Sequence, residues 1–500
     1  MIYILDTLKM YNMNALIYHA RTHNDALYKS DLNPVSPYFT KVDFTQFDPL
    51  GWLIDETHKR GIEFHAWMNP YRITSDDTID IETLLEKYKN YPENPASKKE
   101  YILYGVKTII MDPGKEEVRE FISKTIIEFL NKYDVEAIHF DDYFYANMSA
   151  GGSTSGEITI VDEPDQKTYN DYIDSHPGCP YQNDSATDKA NWRRNQTDLL
   201  IKLLKERINE YNTKNKTFIQ FGISPTGIYK NGDGKVTYDK DNNAVTTGSL
   251  TNGQEHYASY LFCDTVKWCN NGWIDYLLPQ SYWARNHPLA QFRNVTEWWD
   301  KVLKYKKVNL YSGIGLFMAD LTGKVYSWQT DYFELYKDLQ DVSSFEIITG
   351  ASIYNFHTLR KLRDGEHTNS TKQIENGVKA WSKKVPPSEI KVFEKIVLEH
   401  PKNITLVNNI LSFDKVEGAK FYIIYKNKEE IKFTTDEIVD IIGDPEKKSR
   451  IDWTDKDKIN DKLDVRALSY SNTLGKTSDN SSKINYMSLI GLCFLLILLF

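Results

Sequence analysis

The chain has 500 residues, which a prior of about 150 residues per domain divides into roughly three units, or two if one is a large barrel. Its 61 Lys and Arg against 70 Asp and Glu leave a formal net charge of −9, without the basic field of a phosphate-backbone binder, so no nucleic-acid partner is expected. The 41% hydrophobic and 26% charged fractions belong to a globular chain; four cysteines (Cys179, Cys263, Cys269, Cys493) with no CxxC pair exclude a disulfide-built scaffold and argue against structural zinc.

The N-terminal segment lacks the basic start, apolar run and cleavage site of a signal peptide. The spacing of Ile4, Leu5 and Leu8 predicts an amphipathic helix there instead. Onward to about residue 385, short apolar runs alternate with helical stretches. Predicted strands are Ala15–His19, Ile62–Trp67, Ala137–Asp141, Phe218–Ile223, Ile274–Gln280, Asn309–Gly313 and Ile347–Tyr354. Predicted helices include Pro49–Arg60, Glu116–Lys132, Lys189–Asn212, Leu289–Lys306 and Trp328–Asp341. Such alternation means βα units and a parallel sheet; over this length it predicts an α/β fold of the (β/α)8 TIM-barrel type. Closure needs eight strands, and the chain opens on a helix. The first strand is therefore expected to be missing, through an internal start at Met1 or a lost upstream segment, which would leave two raw edges.

Beyond Val385-Pro-Pro-Ser388 the apolar period changes to two. Ile404–Phe413, Phe421–Lys426, Glu430–Thr434 and Leu463–Ser469 predict a small β-sandwich over 386–470, after a barrel over 1–385. A polar linker over 471–486 then leads to an apolar tail, 487–500. Its fourteen residues would span about 21 Å as a helix, against a bilayer core of about 30 Å. The tail is expected to be a short transmembrane helix or a glycolipid-anchor signal, giving a membrane-associated, extracellular location.

In a barrel of this kind, reacting groups follow the C-terminal ends of the strands. Those positions hold His19-Ala-Arg-Thr-His-Asn-Asp-Ala-Leu-Tyr28, His65-Ala-Trp-Met-Asn-Pro-Tyr-Arg72, Ile138-His-Phe-Asp-Asp-Tyr-Phe-Tyr145, Phe221-Gly-Ile-Ser-Pro-Thr-Gly227 and Leu278-Pro-Gln-Ser-Tyr-Trp283. Carboxylates, amides and Arg suit sugar hydroxyls, and rings suit the apolar sugar face, so a polysaccharide is the expected partner and no cofactor is called for. Asp142 is expected as catalytic acid and Asp141 as its partner. Adjacent strand residues do not flank a bond as an ordinary pair, although at the strand's end both can face the rim; if the substrate carries an N-acetyl group, that group would attack C1 while Asp141 orients it. No second carboxylate on another strand stands out. Arg21, Asn69, Arg72, Arg193 and Gln280 are expected to hold hydroxyls or an acidic sugar substituent, with Asp25, His65 and His139 beside them. Tyr28, Trp67, Tyr143, Tyr282 and Trp283 are candidate stacking platforms.

These segments resemble the glycosyl-hydrolase-like family 10, a DUF-type extracellular glycosidase-like barrel. The resemblance runs collinearly over about residues 1–360 through Asp25-Ala-Leu-Tyr28, His58–Arg72, Asp112-Pro-Gly114, His139–Tyr145, Trp192-Arg-Arg-Asn195, Gly222-Ile-Ser-Pro225 and Asn271–Tyr276. It implies hydrolysis of glycosidic bonds, with bacterial cell-wall glycan as the substrate class. The 406–425 stretch resembles a fibronectin type III module. Two other classes stay open: a surface glycan-binding protein without turnover, and a metal-dependent barrel hydrolase using His65, His139 and Asp141, although HxH and HExxH patterns are absent. The Asn231–Asn243 stretch lacks EF-hand spacing and reads as a surface loop, and Gly151–Gly156 as a flexible lid segment.

Overall fold

The computed structural model describes residues 1–146, 163–258, 261–407, 410–430, 433–443, 463–477 and 493–498; Gly151–Gly156 lies outside them. Seven strands follow the predicted order: β1 (Ala15–Arg21), β2 (Glu63–Met68), β3 (Ala137–Phe140), β4 (Gln220–Ile223), β5 (Tyr276–Leu277), β6 (Asn309–Gly315) and β7 (Ile348–Tyr354). Each pairs in parallel with its neighbour. An eighth strand, β8 (Cys493–Leu498), runs parallel between β1 and β7, with Ala15 opposite Leu495 and Gly350 opposite Cys493. It closes the barrel. The position left open by the expected missing strand is thus filled from the far end of the chain, and the backbone groups of both flanking edges are paired.

This overturns the expected membrane anchor. Cys493–Leu498 is a barrel strand, and no helix among the described residues is long and apolar enough to cross a membrane. The membrane partner, the transmembrane helix and the membrane-associated location fall with it. The physical reason lies in the pattern: a parallel strand covered on both faces reads as an unbroken apolar run, as a membrane segment does.

Outer helices bury one stripe each. Asp48 caps helix Pro49–Lys59 by accepting from the amides of Leu50 and Gly51, Pro49 opens it, and Leu50, Leu53, Ile54 and Thr57 face the strands. The N-terminal helix, Ile2–Met10, buries Leu5 and Leu8 as the spacing predicts. Inward-facing residues form a separate lumen core of Ala15, Ile17, Trp67, Ala137, Tyr276, Leu278 and Tyr311. The barrel interior is therefore packed, and the site must lie at its mouth.

The C-terminal region is an antiparallel β-module. Ala419–Glu430 lies between Phe433–Ile442 and Leu463–Ser469, and a hairpin joins Thr405–Val407 to Ile410–Ser412. One face of the larger sheet packs Tyr422, Ile424, Val465 and Ala467 with Leu411 of the hairpin. The module meets the barrel floor, where Lys420 Nζ and Asn472 Nδ2 both donate to Glu63 Oε1, at 2.5 and 2.9 Å. Ser471, Asn472 and Thr473, expected to begin a polar linker, are buried in this contact. The Asn231–Asn243 stretch carries a short ribbon, Val236–Tyr238 with Ala244–Thr246, and Asp239 accepts from the amides of Asp241 and Asn243.

Candidate active site

Strand β3 ends at Phe140, which belongs to the outer core, so Asp141 follows into the lumen side. Asp142 follows beyond the strand end, half-buried, and the two neighbouring carboxyls influence each other's ionisation. Asp141 is buried; its Oδ1 accepts from Gln280 Nε2 at 2.7 Å and from Ser224 Oγ at 3.4 Å. Gln280 Nε2 also donates to the Ser224 carbonyl, which fixes its amide. Burial pushes both acids up, Asp142 to about 6 and Asp141 well above the usual range with the Asp142 charge adding to it; Arg72 acts against the rise at both. A pair arranged this way retains a proton where an ordinary aspartate is ionised.

Arg72 lies on the short strand Arg72–Thr74 after β2, its guanidinium carbon 3.9 Å from the centroid of the exposed Tyr143 ring. Its Nε is buried without a protein partner. His19, one inward position before the end of β1, stacks on Trp67 with ring centroids 3.4 Å apart, and neither of its nitrogens has a hydrogen-bond partner. Burial and the Arg72 charge hold His19 neutral. Across the mouth Tyr282 stacks on Tyr354 of β7 with centroids 5.6 Å apart, and Trp283 beside it is half-buried. The mouth therefore gathers paired acids, a cation with a free donor, and several rings. A barrel of this topology with two acids at its C-terminal mouth has the make-up of an acid–base hydrolase.

Other predicted ligands are loop braces or core. Tyr28 is fully buried against Phe129 and Tyr133, with no face for a sugar. Arg21 is buried and donates to the Asn69 and Pro70 carbonyls and to the side chains of Asn24 and Asn33. Asn69 accepts from Trp67 Nε1 and donates to the Thr22 carbonyl. Asp25 accepts from the amides of Thr22 and His23, closing the loop after β1. Arg193 forks onto Asp165 with two 2.8 Å bonds. His65 and His139 lie deeper in the lumen and meet through the Tyr276 hydroxyl, which stands between their Nδ1 atoms. Among the described residues no group of three His, Cys, Asp or Glu gathers to hold a metal. Sequence reasoning passed over His19, Ser224, Tyr276 and Tyr354 as site residues. For His19 and Tyr354 the signal was present, since each sits at an inward position near a strand's C-terminal end.

The family profile of glycosyl hydrolase-like 10 matches residues 1–325. The chain belongs to this family, and its activity is of the glycoside hydrolase type. It is 29% identical over 432 residues to the glycosyl hydrolase YngK of Bacillus subtilis (strain 168), covering 85% of this chain and 76% of that one. It is 30% identical over 327 residues to the glycosyl hydrolase DigH of Escherichia coli (strain K12), covering 64% and 66%. Among solved structures, α-L-fucosidase isoenzyme 2 from Paenibacillus thiaminolyticus aligns with a TM-score of 0.42 at 13% identity, covering 76% of this chain and 45% of that one. The PgaB (BpsB) glycoside hydrolase domain from Bordetella bronchiseptica aligns at 0.39 and 11%, covering 72% and 91%.

Proposed function

We propose that this glycosidase cleaves O-glycosidic bonds of an N-acetylated cell-wall glycan of the peptidoglycan type, with Asp142 as general acid and Asp141 as its partner. The observation that carries this reading is the buried Asp141 carboxyl, held by Gln280 at the mouth, with the half-buried Asp142 next to it and both acids pushed up by desolvation. Carboxyls on adjacent residues do not stand on opposite sides of a bond, the geometry that a two-carboxylate glycosidase needs. An acetamido oxygen of the substrate then attacks C1 as the leaving oxygen takes the Asp142 proton, and water opens the cyclic intermediate; Asp141 orients the acetamido N–H. The unpartnered Arg72 Nε–H and the single N–H of neutral His19 offer donors to an acidic substituent such as a lactyl carboxylate. Tyr143, Tyr282, Trp283 and Tyr354 supply faces for sugar rings. In this reading residues 1–385, closed by the strand Cys493–Leu498, form the catalytic barrel, and a fibronectin type III-like module over 386–470 serves as its floor.

The test is release of reducing ends from peptide-free cell-wall glycan and from chitin oligomers, with Asp142→Asn alongside. Turnover of the acetylated glycan, its loss on de-N-acetylation and its loss in Asp142→Asn are expected. Full activity in Asp142→Asn, or equal activity on de-N-acetylated glycan, refutes the assignment.

A further inference from the structure

The floor of the barrel carries a cleft that the acids at the mouth do not use. Its volume is about 350 Å³, within the range of about 300–1,000 Å³ for small-molecule sites. Its walls are the segments that enter two neighbouring strands, 134–136 before β3 and 216–219 before β4, together with Tyr470, which follows strand Leu463–Ser469 of the β-module. Parallel neighbours enter a sheet from the same end, so the pairing of Ala137 with Gln220 brings the two segments side by side. The cleft therefore lies at the end of the barrel opposite Asp141 and is shared by barrel and module.

Its walls are braced from behind. Asn212, in the last turn of helix Ala186–Asn215, accepts from the Ile219 amide at 2.9 Å and the Thr217 hydroxyl at 2.8 Å, and donates to the Ile219 carbonyl at 2.8 Å. Phe218 stands between Phe393, edge-on with centroids 5.3 Å apart, and Tyr470, near-parallel with centroids 6.2 Å apart. Next to Tyr470, the Ser471 hydroxyl is buried between those of Ser469 and Thr473. At the lip Asp134, Lys216 and Tyr470 are exposed, and their side chains make no hydrogen bond or ion pair among the described residues. One such side chain is ordinary on a surface. Here an acceptor, a cationic donor and a hydroxyl share one cleft with two rings that packing holds in place.

The balance of charge decides what fits. An organic cation needs negative charge left uncompensated beside the rings. Glu136 does not supply it: the carboxylate accepts from the Phe64 amide and faces His58, and although burial acts against its ionisation, the charges of His58 and Lys420 outweigh that effect. Asp134 and Lys216 remain, one of each sign. A sugar unit asks for no net charge. Its hydroxyls both donate and accept, and its apolar face packs against aromatic rings.

We propose that the floor cleft is a second carbohydrate-binding site, in which Phe218 and Tyr470 form the apolar wall and Asp134 and Lys216 hold the hydroxyls of a sugar unit remote from the acids. The site breaks no bond; it keeps a stretch of glycan on the protein while the mouth is free to work elsewhere on it. Since Tyr470 comes from the β-module and the other residues from the barrel, the module supplies part of the site directly.

The test reads binding at the floor itself. In the full chain labelled with 3-fluorotyrosine, the Tyr470 fluorine resonance is the one lost in Tyr470→Phe. Titration with chitotetraose, the tetramer of N-acetylglucosamine, is expected to displace that resonance saturably. Lys216→Ala and Asp134→Ala alter exposed side chains and should each weaken the titration about three- to tenfold, the scale of one net hydrogen bond. A Tyr470 resonance unmoved by the tetramer overturns the proposal, as does a midpoint unchanged in both variants with circular dichroism like the parent. Displacement by L-lysine and not by the tetramer gives the cleft to an organic cation and overturns it too. Glycan cleaved with Tyr470 unmoved refutes the floor site alone. A resonance that titrates while no acetylated glycan is cleaved refutes the substrate reading and leaves the floor site standing.

Discussion

Replacing Asp142 by Asn should make the protein more stable and less active at the same pH. Burial raises this carboxyl from 3.8 to about 6, with Arg72 working against the rise. The folded chain thus binds the proton more tightly than the unfolded chain does. The unfavourable contribution is absent below about pH 4, grows as pH rises through about 6, and is complete at about pH 8. At about 1.4 kcal/mol for each tenfold difference in proton affinity, the interval amounts to roughly 3 kcal/mol at most. Asparagine preserves the shape and carries no charge, so Asp142→Asn should gain up to about that amount at pH 8 and nothing near pH 4. Thermal unfolding at the two pH values reads this as a midpoint raised by a few degrees only at the higher one. Glycan hydrolysis should meanwhile fall by about 10²–10⁴-fold, the range for loss of a general acid. In the parent, hydrolysis should decline about tenfold for each pH unit above about 6, since only the protonated acid serves. A variant less stable at pH 8, or a stability difference independent of pH, would refute the argument from burial; a parent rate flat from pH 5 to 8 would refute the acid role.

Three further outcomes follow from the packing. Lys420→Met leaves Glu63 buried with Asn472 as its remaining donor at that oxygen, and should cost about 3–5 kcal/mol at neutral pH, measured by denaturant unfolding. That loss should shrink toward pH 4, where the orphaned carboxyl takes up a proton; a loss equal at both pH values would show that packing and not charge is at stake. Gly222→Ala drives a methyl into the Tyr276 ring and should cost about 1–3 kcal/mol while shifting the tyrosine's near-ultraviolet signal. Deleting residues 493–500 reopens the facing edges of β1 and β7, and gel filtration should show association that the full chain does not.

The seven central strands were legible because each is covered on both faces. Ile348–Tyr354 and Ala15–Arg21 read as short apolar runs bounded by polar segments, and the helices between them carry their apolar residues at helical spacing. That same rule misled at Cys493–Leu498. An unbroken apolar run names an environment without polar partners, and a barrel wall meets the description as well as a lipid core does. What decided the matter was two unpaired edges about 140 to 480 residues away in sequence, which no local pattern records.

The site divides along a similar line. Asp141, Asp142, Arg72 and Gln280 were placed by a rule of topology, that residues following parallel strands converge, and the rule depends only on strand order. Arg21 and Arg193 stand near the same words, but an arginine's role depends on what it meets. One meets two carbonyls and the other a carboxylate 28 positions earlier, so both tie loops together. The lumen histidines show how far topology reaches. Inward alternation predicts that His65 and His139 enter the lumen. It does not predict that a glycine on β4 makes room for a tyrosine from β5 to stand between them. That phenol turns two candidate metal ligands into partners of one hydroxyl, so among the described residues the lumen below the acids is tied together by hydrogen bonds and not by a metal-binding cluster.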